Sequence, residues 1–344
     1  MAISLKKGLS NKLKDNKIKN NKKAFTYLLV TSFFVVVLLA VFFTTNSYRY
    51  QDQESMQQVR IRAMNDFVRN LNDDVHRATY ISARRAMIAL EQRIYQSGSA
   101  EYFPDIGTPF REAFFYGTIN GTAYEITVNS TFSDYLAKTQ ELAQATGITM
   151  DINVTNVRMT QTDPWNINIF VTMNIYARDT KNTASWNISK EYVTKVPIEG
   201  MIDPTYPHNV PGQVNKFNIT ILVNGSNSTN LKKFIEGPDV GAYYITSSFA
   251  PNFLMRFEGN FSQDPDHNGI ESIVNLDVLS RAGYIIDSNA SNRVKVDYMY
   301  FNTYVPTGQI ICNVNTLPSD FVIPLNRVNL YQINGSLNYS TTCP

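Results

Sequence analysis

Apolar residues along the chain follow three successive patterns. Ala24 to Phe43 reads AFTYLLVTSFFVVVLLAVFF, 20 residues without a charge. As a helix rising about 1.5 Å per residue, this stretch matches the ~30 Å hydrocarbon core of a bilayer. Apolar residues then recur at Ile61, Met64, Val68, Leu71, Val75 and Ala78, the spacing of one stripe on a helix. From Ile148 the period becomes two: Ile148, Met150, Ile152 and Val154, then Ile167, Ile169, Val171, Met173 and Ile175. That alternation marks half-buried strands.

The stripe predicts a helix over about 52–97, stopped at Gly98, with Arg69, Asp73, Asp74, Arg77, Arg84, Arg85 and Glu91 on its other faces. It spans too few heptads to favour an intermolecular coiled coil, so packing on the chain's own sheet is expected. Short helices are predicted over Phe110 to Tyr116 and Phe132 to Thr146, the second opened by hydroxyl residues and closed by Gly147. A third run places Trp186, Ile188, Tyr192 and Val196 on one side, so residues 148–197 read as a three-stranded antiparallel meander with turns at Asp163-Pro164 and Lys181-Asn182.

The segment Ile202 to Gly212, with Pro204, Pro207 and Pro211, is the candidate domain boundary. Beyond it, strands are expected at Phe217 to Val223, Ala242 to Ser247, Phe253 to Glu258, Val294 to Phe301 and Gln309 to Val314, with a helix near Ile270 to Arg281. The reading is therefore an α+β chain. A tail (1–23), a transmembrane helix (24–44) and a juxtamembrane amphipathic helix (45–98) precede two antiparallel-sheet domains (99–203 and 204–344).

Charge orients this arrangement. Residues 1–23 carry eight lysines against one acid, Asp15, and so sum to +7. With a total of +2 over 344 residues, the remainder sums to −5 and offers no basic surface suited to nucleic acid. Lysines before the apolar stretch, and little positive charge after it until Arg49, place the N-terminus in the cytoplasm and the bulk of the chain outside the cell. A cleaved secretory signal has a shorter apolar region, about 7–15 residues, and a small-residue cleavage site that does not follow Phe43. The lysine tail itself serves orientation and contact with anionic lipid.

Eleven N-x-[ST] sequons lie beyond the apolar stretch: Asn120, Asn129, Asn153, Asn187, Asn218, Asn224, Asn227, Asn260, Asn289, Asn334 and Asn338. Asn153, Asn187 and Asn218 fall on the polar parity of their strands, where a glycan points to solvent. Cys312 and Cys343 enclose about 30 residues on the oxidising side, where a disulfide is expected. Asp264-Pro-Asp266-His267-Asn268-Gly269 begins like a calcium loop, but its twelfth position is Asn275 instead of the closing Glu, so a turn capping the following helix is expected. The three histidines, His76, His208 and His267, have no metal or triad spacing, and neither a nucleophile elbow nor a phosphate loop occurs. No catalytic, cofactor or metal residue is nominated.

Lys22-Lys23-Ala24-Phe25-Thr26-Tyr27-Leu28-Leu29, an apolar helix running into an amphipathic one, and then an antiparallel sheet resemble type IV prepilin-like proteins. The resemblance implies peptidase cleavage between Ala24 and Phe25 and packing of the freed helix in a filament core. Leu29 stands where bacterial pilins usually carry Glu. The phrases ASW (184–186), IEGMIDPTY (198–206), APNFLMRFEG (250–259), GIESIVNL (269–276) and VDYMYF (296–301) resemble archaeal surface proteins of unassigned function. The expected role is that of a membrane-anchored, glycosylated surface protein, structural or interacting, whose partners are the bilayer and other surface or pilus-like proteins. The alternatives are a filament subunit, an ectoenzyme of the hydrolase class, and an adhesin or receptor.

Overall fold

The computed structural model describes residues 3–96 (for 3–22, 24 and 47–55 the backbone alone), 101–219, 243–281, 283–284, 293–302, 309–315, 317, 321–331, 333 and 341–344. The chain divides into two units, Met1–Phe67 and Val68–Pro344. One helix, α1 (Ile3–Gln96), contributes to both. No proline occurs before Pro104, and Gly8 is the only glycine in α1, so nothing in the sequence interrupts the helical ladder.

In the first unit, Phe25–Asn46 is long and apolar enough to cross a membrane. Its large side chains are exposed, from Phe25 to Phe43. Four of its hydroxyls are bonded back onto the helix: Thr31 Oγ1 donates to the Tyr27 carbonyl (2.6 Å), Ser32 to Leu29, Thr44 to Ala40 and Thr45 to Val41 (2.9 Å each). A helix that satisfies its own polar groups in this way suits a medium without water.

In the second unit, Val68, Leu71, Val75, Ala83, Ala86, Leu90 and Ile94 of α1 are buried. The helix packs on a meander of β3 (Ile148–Asp163), β4 (Asn166–Asp179) and β5 (Ser185–Pro197); β1 (Thr118–Ile119) and β2 (Thr122–Ala123) form a small hairpin before it. The meander is antiparallel in the order β3-β4-β5. Tyr192 Oη donates to Asn72 Oδ1 (2.6 Å), His76 Nδ1 lies 3.1 Å from Thr194 Oγ1, and Arg84 donates to the Pro197 carbonyl (3.2 Å). Ile167, Ile169, Val171, Met173, Ile175 and Ala177 supply the apolar face of β4. A register shift at Val154/Asn156 adds one residue to β3, so inward parity passes from Met150 to Val157.

Helices α2 (Gly107–Tyr116) and α3 (Phe132–Ala145) join this layer through buried Phe110, Phe114 and Phe132. Stacking places the Phe114 ring centroid 5.7 Å from Phe110 and 4.9 Å from Phe132. Thr131 opens α3 with a capping box, its Oγ1 accepting from Asp134 N (3.1 Å) while Asp134 Oδ2 accepts from Thr131 N (3.0 Å). Glu91, placed by periodicity on a polar face of α1, is 3% exposed. At this end of α1 the chain packs around the helix, and both a backbone bond from Ile202 and the charge of Lys216 reach its carboxyl.

The remainder is built from short elements: α4 (Thr205–Asn209), β6 (Asn218–Ile219), β7 (Tyr243–Thr246), α5 (Phe253–Phe257), β8 (Ile270–Glu271), α6 (Leu276–Arg281), α7 (Asp297–Asn302), β9 (Ile311–Val314), β10 (Val322–Pro324), α8 (Leu325–Leu330) and β11 (Thr341–Thr342). Their sheets run β6-β7-β8 and β10-β9-β11. Pairing is antiparallel except β6 with β7, which is parallel, as is the Val294↔Val322 bridge. Residues 220–223 and Ala242, part of two expected strands, lie outside the described residues.

The proline-rich segment is interior, with Asp203, Thr205 and Tyr206 at 0–1% exposure. The chain on either side of it is knitted together, since Phe103 N donates to Phe257 O (3.0 Å) and Phe253 N to Gln161 Oε1 (2.9 Å). Phe253–Phe257 is a helix and not a strand, because Asn252 caps it by accepting from Met255 N (2.9 Å). Val294 and Val296 make single bridges before Asp297 starts α7. Strand Ile270–Glu271 replaces the start of the helix expected there, which is confined to Leu276–Arg281.

Candidate functional site

Two arginines organise the interior of the second unit. Arg256, fully buried on α5, donates from Nη1 to Asp203 Oδ2 (2.6 Å) and Asp297 Oδ2 (2.9 Å), and from Nη2 to the Ile270 carbonyl (2.5 Å). Asp203 also accepts from Tyr244 Oη (2.8 Å) and Thr205 N (2.9 Å). Arg327, fully buried on α8, donates from Nε and Nη2 to Glu271 Oε2 (3.3 and 3.2 Å). Its Nη2 also bonds Tyr298 Oη (2.5 Å), and its guanidinium lies 4.7 Å from the Phe249 ring centroid.

The two clusters hold three carboxylates against two guanidiniums. Burial pushes Asp297 up to about 6, opposed by the Arg256 charge and assisted by Asp203. Burial and the Glu271 charge raise the Tyr298 phenol well above its ordinary range, so it stays a hydrogen-bond donor. For Arg327, burial disfavours the cation, but Glu271 and Tyr298 more than offset it.

Arg327 and Tyr298 are among the residues lining a cavity of about 450 Å³. Its walls come from the loop after α5 (Gly259 to Gln263), from Met299 and Asn302 of α7, and from Phe249 and Gln309. Gly259, at φ +66°, turns the chain out of α5, and a Cβ there would overlap the Tyr102 ring. Two of the lining residues carry a buried polar atom without a partner, Arg327 Nη1 and Gln309 Oε1. The volume falls within the ~300–1,000 Å³ of small-ligand sites, and a few convergent polar groups among aromatic side chains fit that class.

The cysteines meet: Cys312 on β9 and Cys343 beyond β11 have Sγ atoms 2.00 Å apart. Of the sequons in the described residues, Asn120, Asn129, Asn153, Asn187 and Asn260 are exposed and Asn218 is half-buried. Asn153 pairs with Asn174, and Asn187 with Tyr176. Both therefore stand on the exposed face of the meander, the face away from α1. Asn224, Asn227, Asn289, Asn334 and Asn338 lie outside the described residues, as does the side chain of Ala24, while Phe25 is exposed. Asp264 is buried in its turn, accepting from Asp266 N (3.4 Å) and Asn268 N (2.8 Å). That turn leads into β8 and caps no helix.

Of the residues around the cavity, sequence reading singled out Asn260 alone, as a sequon. Arg256, Asp297 and Arg327 left a faint signal, charges inside the largely apolar strings FLMRF, VKVDYMYF (which also holds Lys295) and LNRVNL. No family model matches the chain, and neither a curated protein nor a solved structure matches it.

Proposed function

We propose that the chain is a membrane-anchored cell-surface protein, its N-terminus cytoplasmic and its folded unit extracellular, with a structural or interaction role. The observation that carries this reading is Phe25–Asn46, apolar and exposed along its length, with four of its hydroxyls bonded back onto the helix. Eight lysines precede it, and every sequon and both cysteines follow it. Such an exposed apolar surface is unstable in water, and the lysine bias fixes the side on which the tail stays. Protease treatment of intact cells tests it: the folded unit is cleaved or shed, while a membrane-protected fragment retains the lysine tail. Protection of the folded unit in intact cells, with cleavage only after lysis, overturns the orientation.

A second reading, a pilin-like filament subunit, is favoured by the continuity of α1 from the apolar segment into residues 68–96, which pack on an antiparallel meander. Lys22-Lys23-Ala24-Phe25 supplies the prepilin-type cleavage position. N-terminal sequencing of the native protein separates the two: a start at Phe25 supports the filament, and an intact tail supports the anchor.

A further inference from the structure

We propose that the cavity between α5, α7 and α8 is a binding site for a neutral saccharide. The walls combine the two chemistries that a pyranose presents. Phe249 and Phe261 offer aromatic surface to its C–H faces. Asn260, Asn302 and Gln309 carry amide groups that both donate and accept, as vicinal hydroxyls require.

Two unpartnered atoms make the polar demand specific. Arg327 is 0% exposed, and its Nη1 has no partner although its Nε and Nη2 are both engaged. Gln309, another lining residue, has its Oε1 buried without a partner. A buried donor and a buried acceptor left open are costly, and one ligand carrying both oxygen lone pairs and an O–H satisfies both.

Charge decides between a neutral and an acidic ligand. Arg327 is already compensated by Glu271, and the adjoining Arg256 cluster has two carboxylates, Asp203 and Asp297, for one guanidinium. A ligand carboxylate adds a further negative charge to a buried group that already has an excess of them, which desolvation and like-charge repulsion disfavour. A hydroxyl or acetamido oxygen accepts from Nη1 without that cost.

The sugar has two available sources: a free or partner-borne glycan, or this chain's own glycan at Asn260. Asn260 is exposed and forms part of the wall, and its Oδ1 accepts from both the backbone N (3.1 Å) and Oγ (2.7 Å) of Ser262, the sequon hydroxyl. This second source rests on the extracellular placement proposed above, whereas the cavity's chemistry does not.

The test uses the full chain in detergent micelles, as wild type and as Ser262→Ala, which removes the sequon and keeps the Asn260 amide. Saturation-transfer NMR and calorimetric titration are run with glucose, mannose, galactose and N-acetylglucosamine, and with glucuronate as the acidic comparison. At least one neutral sugar is expected to bind with a Kd on the order of millimolar, with glucuronate at least tenfold weaker. Phe261→Ala and Gln309→Leu, both on the wall and outside the ion clusters, are expected to weaken binding at least tenfold while the circular dichroism spectrum is retained. Binding by wild type identifies an open site for external sugar. Binding by Ser262→Ala alone, together with a glycan mass on wild type, identifies the Asn260 glycan as the resident occupant. A wild type without glycan mass refutes the resident source and leaves the external one to the titration. Absence of binding in both forms, glucuronate binding as tightly as the neutral sugars, or wall variants that bind unchanged overturns the proposal.

Discussion

Glu91 should make the folded unit lose stability as pH rises, the opposite of what most surface carboxylates do. Its carboxyl is 3% exposed on α1, with Oε1 unpartnered. Burial raises it from 4.5 to about 8, only partly opposed by the Ile202 backbone bond and the charges of Arg84 and Lys216. An acid whose folded pKa exceeds its unfolded value binds more protons folded than unfolded. Stability conferred on the protonated fold is therefore intact below pH 4.5, declines from about 4.5 to about 8, and levels above that. Each pH unit inside that window removes about 1.36 kcal/mol, so roughly 3 kcal/mol is lost by pH 7 and roughly 5 kcal/mol over the whole window. A small domain's entire margin is only about 5–15 kcal/mol, so the effect is large.

Glu91→Gln removes the titration and keeps a carbonyl oxygen to accept from Ile202. Urea unfolding of the full chain in micelles, followed by far-ultraviolet circular dichroism at pH 5, 6, 7 and 8, compares the two proteins. The wild-type midpoint is expected to fall across this range while the Gln variant stays comparatively flat, the two curves diverging by roughly 3 kcal/mol between pH 5 and 7.5. Asp297, pushed up to about 6, contributes a fall of the same sign at lower pH, and it cancels in the comparison because both proteins carry it. Parallel curves would refute the reasoning, since they would mean that Glu91 ionises without cost in the fold.

The remaining expectations concern the fold that holds the cavity. Reduction of Cys312–Cys343, which are 31 residues apart, should lower the unfolding free energy by about 3–4 kcal/mol through loop-closure entropy; an unmoved urea midpoint after reduction contradicts it. Arg256→Met strands Asp203 and Asp297 as buried, unpaired carboxylates and should cost about 3–5 kcal/mol, with partial recovery on adding Asp297→Asn; thermal melts of the single and double variants decide. Gly269→Ala drives a methyl onto the Ala250 carbonyl and should cost at least about 1–3 kcal/mol, as backbone must shift; a melting temperature equal to wild type sinks it.

The meander was legible because α1 covers one of its faces and solvent the other. On β4, Ile167, Ile169, Val171, Met173 and Ile175 are buried, while Asn174 and Tyr176 are exposed, so the strand signs itself in period two. Its turns were legible too, since Asp163 Oδ1 accepts from Trp165 N and Asp179 Oδ2 from Lys181 N, the local bonding that favours Asp at turns. The α1 stripe was visible for the same reason, but Glu91 escaped because a helix end enclosed on several sides has no polar face to reveal.

Beyond residue 203 that contrast disappears. Val294 to Tyr300 are all buried, Lys295 and Asp297 included, so no alternation separates strand from helix, and β-branched composition wrongly favours the strand. The elements there are too short for periodicity, and what orients them is charge pairing across long separations: Arg256 meets Asp297 41 residues on and Asp203 53 residues back. Buried ion pairs of this kind add little net stability over apolar packing, but they penalise every arrangement that leaves one member unpaired. Short helices and two-residue strands gain from that penalty the directional specificity that long elements derive from side-chain patterning. The same pairing reaches the cavity's lining: Arg327, held by Glu271 and Tyr298 against the Phe249 ring, uses two nitrogens to fix α8 against β8 and α7 and leaves the third unpartnered. The interactions that define the fold of this region and those that define its candidate site are thus one set of side chains, which is why neither could be read from the sequence without the other.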